Sequence, residues 1–254
     1  MALLARPRFL VGMVHLAPLP GTPRAQLSLG DVAARAVEDA GALADGGCDA
    51  VLVENFGDAP FAKRLSPEGI VGLALVAQEL VRAVRIPVGV NALRNDAPAA
   101  LAIAHMVGAR FVRCNVWSGA AWTDQGLIEG CARETLDLRR KLGASVEVWA
   151  DALVKHATHP GTLEQAITDN ERNLCDAHVV TGPRTGAQAA PADLERAVLL
   201  ATKPVLVGSG ATAANLGVHG RAAGFIVGTS LQRAGRVDRK LVEALVRARD
   251  HLAA

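Results

Sequence analysis

Short apolar runs rich in β-branched residues recur along the chain. Each is followed by a longer stretch in which Ala and Leu return at helical spacing. The runs at 10–15 (LVGMVH), 49–54 (DAVLVE), 87–92 (PVGVNA), 111–116 (FVRCNV), 145–151 (SVEVWAD), 178–181 (HVVT), 204–208 (PVLVG) and 224–228 (GFIVG) predict strands. The stretches 28–46, 66–84, 96–108, 125–142, 162–175, 191–201, 212–220 and 238–251 predict helices. Strict alternation of strand and helix implies a parallel sheet, because parallel neighbours need a crossover between them. Connections from helix to strand are tight, as at Arg85-Ile86 and Thr202-Lys203. Those from strand to helix are long and rich in Gly, Pro and Asn: LAPLPGTPRAQ, NFGDAPFAKRL, WSGAAWTDQG and TGPRTGAQAA. An open doubly wound sheet is the alternative, but eight units without an antiparallel excursion favour closure. The expected fold is a single (β/α)8 TIM barrel over residues 1–254, with its working face where the strands end.

Composition narrows the function more than the fold. The 254 residues give about 32 per unit, ordinary for such a barrel. Half are hydrophobic and 20% are charged, which supports a large core and excludes wholesale disorder. With five Phe, three Trp and no Tyr, a base-stacking platform lacks its material, and a net charge of +2 gives little grip on a polyanion. Nucleic acid is therefore not an expected partner; a small anionic ligand is. Cys48, Cys114, Cys131 and Cys175 lie far apart without a C-x-x-C pair, which reads as buried free thiols in a reducing compartment. The opening MALLARPRF is too short an apolar run for a secretory signal, and no apolar window is long enough to span a membrane. A cytoplasmic location is expected, and the Ala- and Leu-rich helices are suited to a homo-oligomer.

Alternation along each strand selects the side chains that face the barrel axis. Met13 and His15 share a parity, as do Gly89 and Asn91, Arg113 and Asn115, and Glu147, Trp149 and Asp151; Glu54 and Asn55 close the second strand. A barrel interior that is only packed core is mostly Val, Ile and Leu. The coincidence of polar strand ends therefore marks His15, Glu54, Asn91, Asn115 and Asp151 as candidate catalytic residues. The structural alternative is a buried Arg113–Glu147 ion pair with asparagines that cap loop amides. Asp151, Lys155, His156 and His159 form a second cluster. Lys155 is expected to neutralise an anionic intermediate or, as an amine, to form a Schiff base. Glu54, Asp151 and His156 are candidate ligands of a divalent metal, although no H-E-x-x-H-type signature is present and the cofactor stays unknown.

The seventh and eighth strands run into VLVGSGAT and FIVGTSLQ. Glycine admits a ligand close to the backbone, and successive N–H groups at a helix start bind anions. Gly208, Ser209, Gly210, Gly228, Thr229 and Ser230 are the expected phosphate site, with Gly182 and Arg184 of TGPRTG as a further wall. Gly208, Gly210 and Ala213 also match a dinucleotide fingerprint, but the acidic residue due at the end of the next strand is replaced by Gly228-Thr229-Ser230.

Nine segments together resemble the BtpA/SgcQ family: VGMVHLAPLPGTPR, VENFGDAPF, VNALRND, FVRCNVWSG, DQGLIEG, ADALVKHA, VTGPRTG, VGSGATAANL and GFIVGTSLQ. They run in order from the first strand to the eighth. The resemblance implies a ribulose-phosphate-binding type of barrel and the anion site at the last two strands. It brings no settled reaction, since the family name refers to photosystem I biogenesis and SgcQ-like members are associated with sugar metabolism. Gln232 stands where the family pattern is expected to carry a basic residue. The leading expectation is an enzyme for a small phosphorylated metabolite, with isomerase, epimerase or aldolase-type proton transfer. Metal-assisted hydrolysis of a nucleotide or phosphoester and a non-enzymatic assembly factor are the alternatives.

Overall fold

A computed structural model describes residues 3–253. Eight strands, β1 (Phe9–His15), β2 (Ala50–Glu54), β3 (Val88–Asn91), β4 (Phe111–Cys114), β5 (Glu147–Asp151), β6 (Ala177–Val180), β7 (Val205–Val207) and β8 (Gly224–Val227), close into a barrel. All pairings are parallel, each strand lies beside the next, and β8 returns to β1. Around it lie α1 (Leu29–Asp45), α2 (Pro67–Ala83), α3 (Ala97–Val107), α4 (Ala132–Leu142), α5 (Leu163–Arg172), α6 (Pro191–Leu200) and α7 (Arg239–Ala253). Four helices start on a side-chain oxygen that accepts a backbone N–H of the first turn: Ser28 for α1, Ser66 for α2, Asp96 for α3 and Thr162 for α5. Each helix then turns an apolar stripe onto the sheet, as α1 does with Val32, Ala36, Ala40 and Leu43.

The barrel axis is divided into two halves. In the lower half, Phe111 stacks on Trp149 with ring centroids 3.8 Å apart, and Phe9 tilts against the same indole at 5.8 Å. Leu3 of the N-terminal turn closes this cluster from below. Such bulk fits because the facing strands carry glycine. A Cβ on Gly89 would stand 2.1 Å from the Phe111 ring, and one on Gly224 would stand 2.7 Å from Phe9. Above this plug the inward positions become polar.

Two predicted helices are different in the structure. Residues 125–129 belong to a hairpin, Ala120–Thr123 against Gly126–Glu129, and α4 starts only at Ala132. Ala121 and Ile128 are buried while Trp122 and Leu127 are exposed, an alternation of period two, and Gly126 makes the turn at φ +85°. The 212–220 stretch forms a single 3₁₀ turn, Leu216–His219. There the Asn215 side chain takes the Thr212 N–H and donates to the Gly210 carbonyl, so local side-chain bonding competes with helix propagation.

The plug makes a stability prediction. Gly89→Ala is expected to cost about 1–3 kcal/mol in urea unfolding, the usual penalty for overpacking, and Phe111→Leu in the same chain is expected to recover part of it.

Candidate functional site

The floor of the barrel mouth is an ion pair. Arg113 of β4 donates through Nε to Asp151 Oδ1 at 2.8 Å and through Nη2 to Oδ2 at 2.9 Å. Both side chains are buried, that of Asp151 completely. Burial alone would lower the guanidinium's pKa, but the charge of Asp151, with a smaller contribution from Glu54, raises it. The partner expected from the sequence was Glu147. Register explains the change: Phe111 lies opposite Glu147 and Arg113 opposite Trp149, so the guanidinium reaches up the axis to the next inward residue of β5. Glu147 stays in the lower half, accepts from Trp149 Nε1 at 3.1 Å, and is pushed above the usual carboxylate value by burial. Asn115 donates to Asp151 Oδ2 at 3.2 Å, while its own Oδ1 is buried with no partner among the described residues.

Glu54 ends β2 beside this pair. Asn91, opposite it on β3, donates to Glu54 Oε2 at 2.5 Å, and His15 Nε2 lies 3.9 Å from Oε1. Gln232 Nε2 donates to His15 Nδ1 at 3.1 Å, which leaves the proton of a neutral imidazole on Nε2, facing Glu54. The imidazole stacks on Phe56 at 4.5 Å. Its pKa is lowered by burial first, with Lys155 and Arg113 acting in the same direction against Glu54. Gly228 is required here, since a Cβ would stand 2.7 Å from His15 Cε1.

Two cavities open on this group. One is a recess of about 60 Å³ between the ends of β7 and β8, room for roughly four to six water-sized atoms. Gly208, Ser209, Gly210, Gly228, Thr229 and Ser230 all line it. The N–H groups of Ser209, Gly210, Ala211, Thr229 and Ser230 have no acceptor among the described residues. The remaining expected donors are engaged elsewhere: Gly208 N–H bonds Val180 O, and Gly182 N–H bonds Ser209 Oγ at 2.7 Å. Gly182 and Arg184 line neither cavity, and Arg184 is exposed. The hydroxyl of Ser230 is held by Ala211 O.

The other cavity is a cleft of about 690 Å³ walled by Pro18, Phe56, Phe61 and Leu93, with Arg24, Arg94 and His156 on its polar side. Glu54, Arg113 and Lys155 line both cavities and join them. Burial, reinforced by Arg113, lowers the Lys155 pKa. Arg94 carries no signal in the sequence pattern, since it lies on the loop after β3, outside any strand parity. Asn55 and Asp58 tie the loops that frame the cleft: Asn55 Oδ1 takes Leu93 N–H at 2.7 Å and Asp58 Oδ1 takes Leu19 N–H at 2.8 Å. The proline-rich loop after β1 is thus anchored, with Leu19 fully buried.

The candidate metal ligands Glu54, Asp151 and His156 do not gather. Both oxygens of Asp151 are taken by Arg113 and Asn115, while His156 Nε2 bonds Thr185 at 3.0 Å. No group of three or more His, Cys, Asp or Glu among the described residues is arranged to hold a metal ion.

Asp151→Asn strands a buried guanidinium and is expected to cost about 3–5 kcal/mol in denaturant unfolding, with Arg113→Met on the same chain recovering much of it. Acid should also destabilise the fold. His15, His178 and His219 are all held below the usual histidine value, each first by burial. The unfolded chain then binds protons that the folded one refuses, so their contribution is complete above about pH 6.5 and is lost as pH falls below it. Melting temperature should drop from pH 7 to pH 5.5, and the drop should be shallower in His15→Gln.

The sequence profile of the BtpA family matches residues 6–251. The photosystem I biogenesis protein BtpA of Synechocystis sp. is 48% identical over 234 residues, covering 90% of this chain and 82% of that protein. An uncharacterized protein of Thermococcus kodakarensis is 46% identical over 245 residues, covering 94% and 92%. Among solved structures, thiamine phosphate pyrophosphorylase from Pyrococcus furiosus superposes with a TM-score of 0.64 at 13% identity, covering all of both chains. N-(5'-phosphoribosyl)anthranilate isomerase from the same organism gives 0.61 at 15% identity, covering 96% and 99%. These two share the barrel. The sequence match is of another kind: it starts ahead of β1, ends within α7, and so takes in every residue of both cavities, which makes the chain a member of the BtpA family.

Proposed function

We propose that this protein is a cytoplasmic enzyme acting on a small phosphorylated metabolite, a sugar phosphate, by proton transfer next to a carbonyl. The observation that carries the reading is the meeting of an amide-lined recess with an acid, an imidazole and two cations at one point. Unused backbone N–H groups recognise an oxyanion without bringing a full positive charge, and barrels of this type commonly use these two loops for phosphate. With the phosphate there, the rest of the ligand runs past Glu54.

Glu54 is the proton carrier in this scheme. Asn91 fixes one carboxylate oxygen, and the other faces His15 and the shared lining of the two cavities. The neutral His15 returns or relays the proton at a neighbouring atom. Lys155 and Arg113 stabilise the oxygen on which enolate charge develops. Asp151, with no exposed side-chain surface, acts through Arg113, and Asn115 steadies Asp151. The names of the two structural neighbours refer to phosphate-bearing compounds, which supports the reading only by analogy of fold. The name of the Synechocystis relative refers to photosystem I biogenesis. No helix among the described residues is long and apolar enough to cross a membrane, and all four cysteines are free and buried, which suits a reducing compartment.

Thermal melts with inorganic phosphate and a panel of sugar phosphates test the reading. A true ligand at 100 times its Kd should stabilise the protein by about 2.7 kcal/mol. Thr229→Asp places a carboxylate at the exposed rim of the recess and is expected to abolish the shift. Glu54→Gln should keep the shift but slow exchange of the substrate's carbon-bound proton with solvent by about 10²–10⁴-fold. The reading falls if no phosphorylated compound raises the melting temperature.

A further inference from the structure

Arg94 is a buried cation with no counter-ion among the described residues. Its residue is 6% exposed, yet no carboxylate lies within ion-pair distance among the described residues. Among the described residues the guanidinium makes one hydrogen bond, from Nη2 to the Lys155 carbonyl at 2.9 Å. Asp151 is taken by Arg113 and Asn115, and Glu54 has one oxygen on Asn91 and the other towards His15, so neither nearby acid forms an ion pair with Arg94. Asp124, on the hairpin across the cleft, is solvent-exposed. Arg113, the other arginine buried to this degree, is fully paired. Desolvating a charge without a partner is costly, and such a charge is kept where something else neutralises it.

The backbone that carries Arg94 is held on both sides. The Leu93 amide and carbonyl are both bonded by Asn55. Arg94 N–H bonds Ala62 O, and the Asn95 side chain brackets the Val116 amide and carbonyl at 2.8 and 2.9 Å. Arg94 lines the wide cleft together with Lys155, Phe56 and Phe61. A planar guanidinium on rigid backbone is suited to an oxyanion. We infer that the ligand carries a second anionic group, a carboxylate or a second phosphate, which Arg94 receives in the wide cleft while the first phosphate occupies the recess. This rests on the phosphate reading above and narrows it to phosphorylated sugar acids or sugar bisphosphates. The middle of such a ligand lies at Glu54, Arg113 and Lys155, which with Thr185 are common to both cavities.

Isothermal titration with matched probes tests the inference. Glucose 6-phosphate against 6-phosphogluconate isolates an added carboxylate, and fructose 6-phosphate against fructose 1,6-bisphosphate isolates an added phosphate. At least one doubly anionic member is expected to bind the parent chain about tenfold or more tightly than its singly anionic partner, a typical return for a charge-assisted pair. Arg94→Met should erase that advantage and leave the singly anionic compounds unchanged, while Arg94→Lys should keep part of it. A second readout needs no ligand. Arg94→Met should melt no lower than the parent chain, because it removes an unpaired buried charge. A melting temperature several degrees lower would make Arg94 a structural residue and overturn the inference. Equal binding within both pairs, or an advantage that survives Arg94→Met, also overturns it while the phosphate reading stands. Absence of binding by all four probes, unchanged by Thr229→Asp, removes both.

Discussion

A guanidinium placed on the axis of a closed barrel must find a counter-charge within the barrel, and the position of Asp151 answers that need. Arg113 enters the axis one inward step above the stacked aromatic rings, where its side chain is almost entirely buried. Only a carboxylate one step higher on the adjacent strand meets it with two parallel hydrogen bonds. The pair draws in its surroundings: Asn115 bonds the carboxylate, and Asn170 of α5 bonds the Asp151 carbonyl from outside the barrel. What lies below this level is apolar packing. Polar groups above it can stay hydrated and available, so the pair is the boundary between core and chemistry.

Two kinds of polar lining meet above the boundary. On the side of β7 and β8 the backbone supplies the donors, and small residues keep the approach open. On the side of β2 and β3 charged side chains do so, and they are held by asparagines that stitch one loop to the next. Backbone donors tolerate a neutral surrounding, whereas a buried charge needs a partner. The proposed anion recognition is therefore compatible with a net charge of only +2.

How much of this was readable in the sequence follows from what controls each feature. Strand parity is local, so the inward set Met13, His15, Glu54, Asn91, Arg113 and Asp151 could be read from alternation alone. Stagger between neighbouring strands is a property of closure, and it decided that Arg113 meets Asp151 and not Glu147. The hairpin at 120–129 was hidden because Leu127 and Ile128 run directly into the amphipathic pattern of α4; Gly126 was the legible sign of a turn. Arg94 was hidden for a different reason. It sits in a loop with no periodicity, and its environment is set by Asn55, which lies 39 positions earlier. Gly182 and Gly208 were readable as glycines of an expected anion site, but whether an amide is free depends on tertiary partners that composition does not reveal.

The aromatic plug carries a kinetic consequence. Phe9, Phe111 and Trp149 fill the axis so completely that the barrel has no passage through it. Whatever enters by the upper face leaves by the upper face. Any ligand of the mouth therefore has one doorway, and a second can reach the same groups only after the first has left.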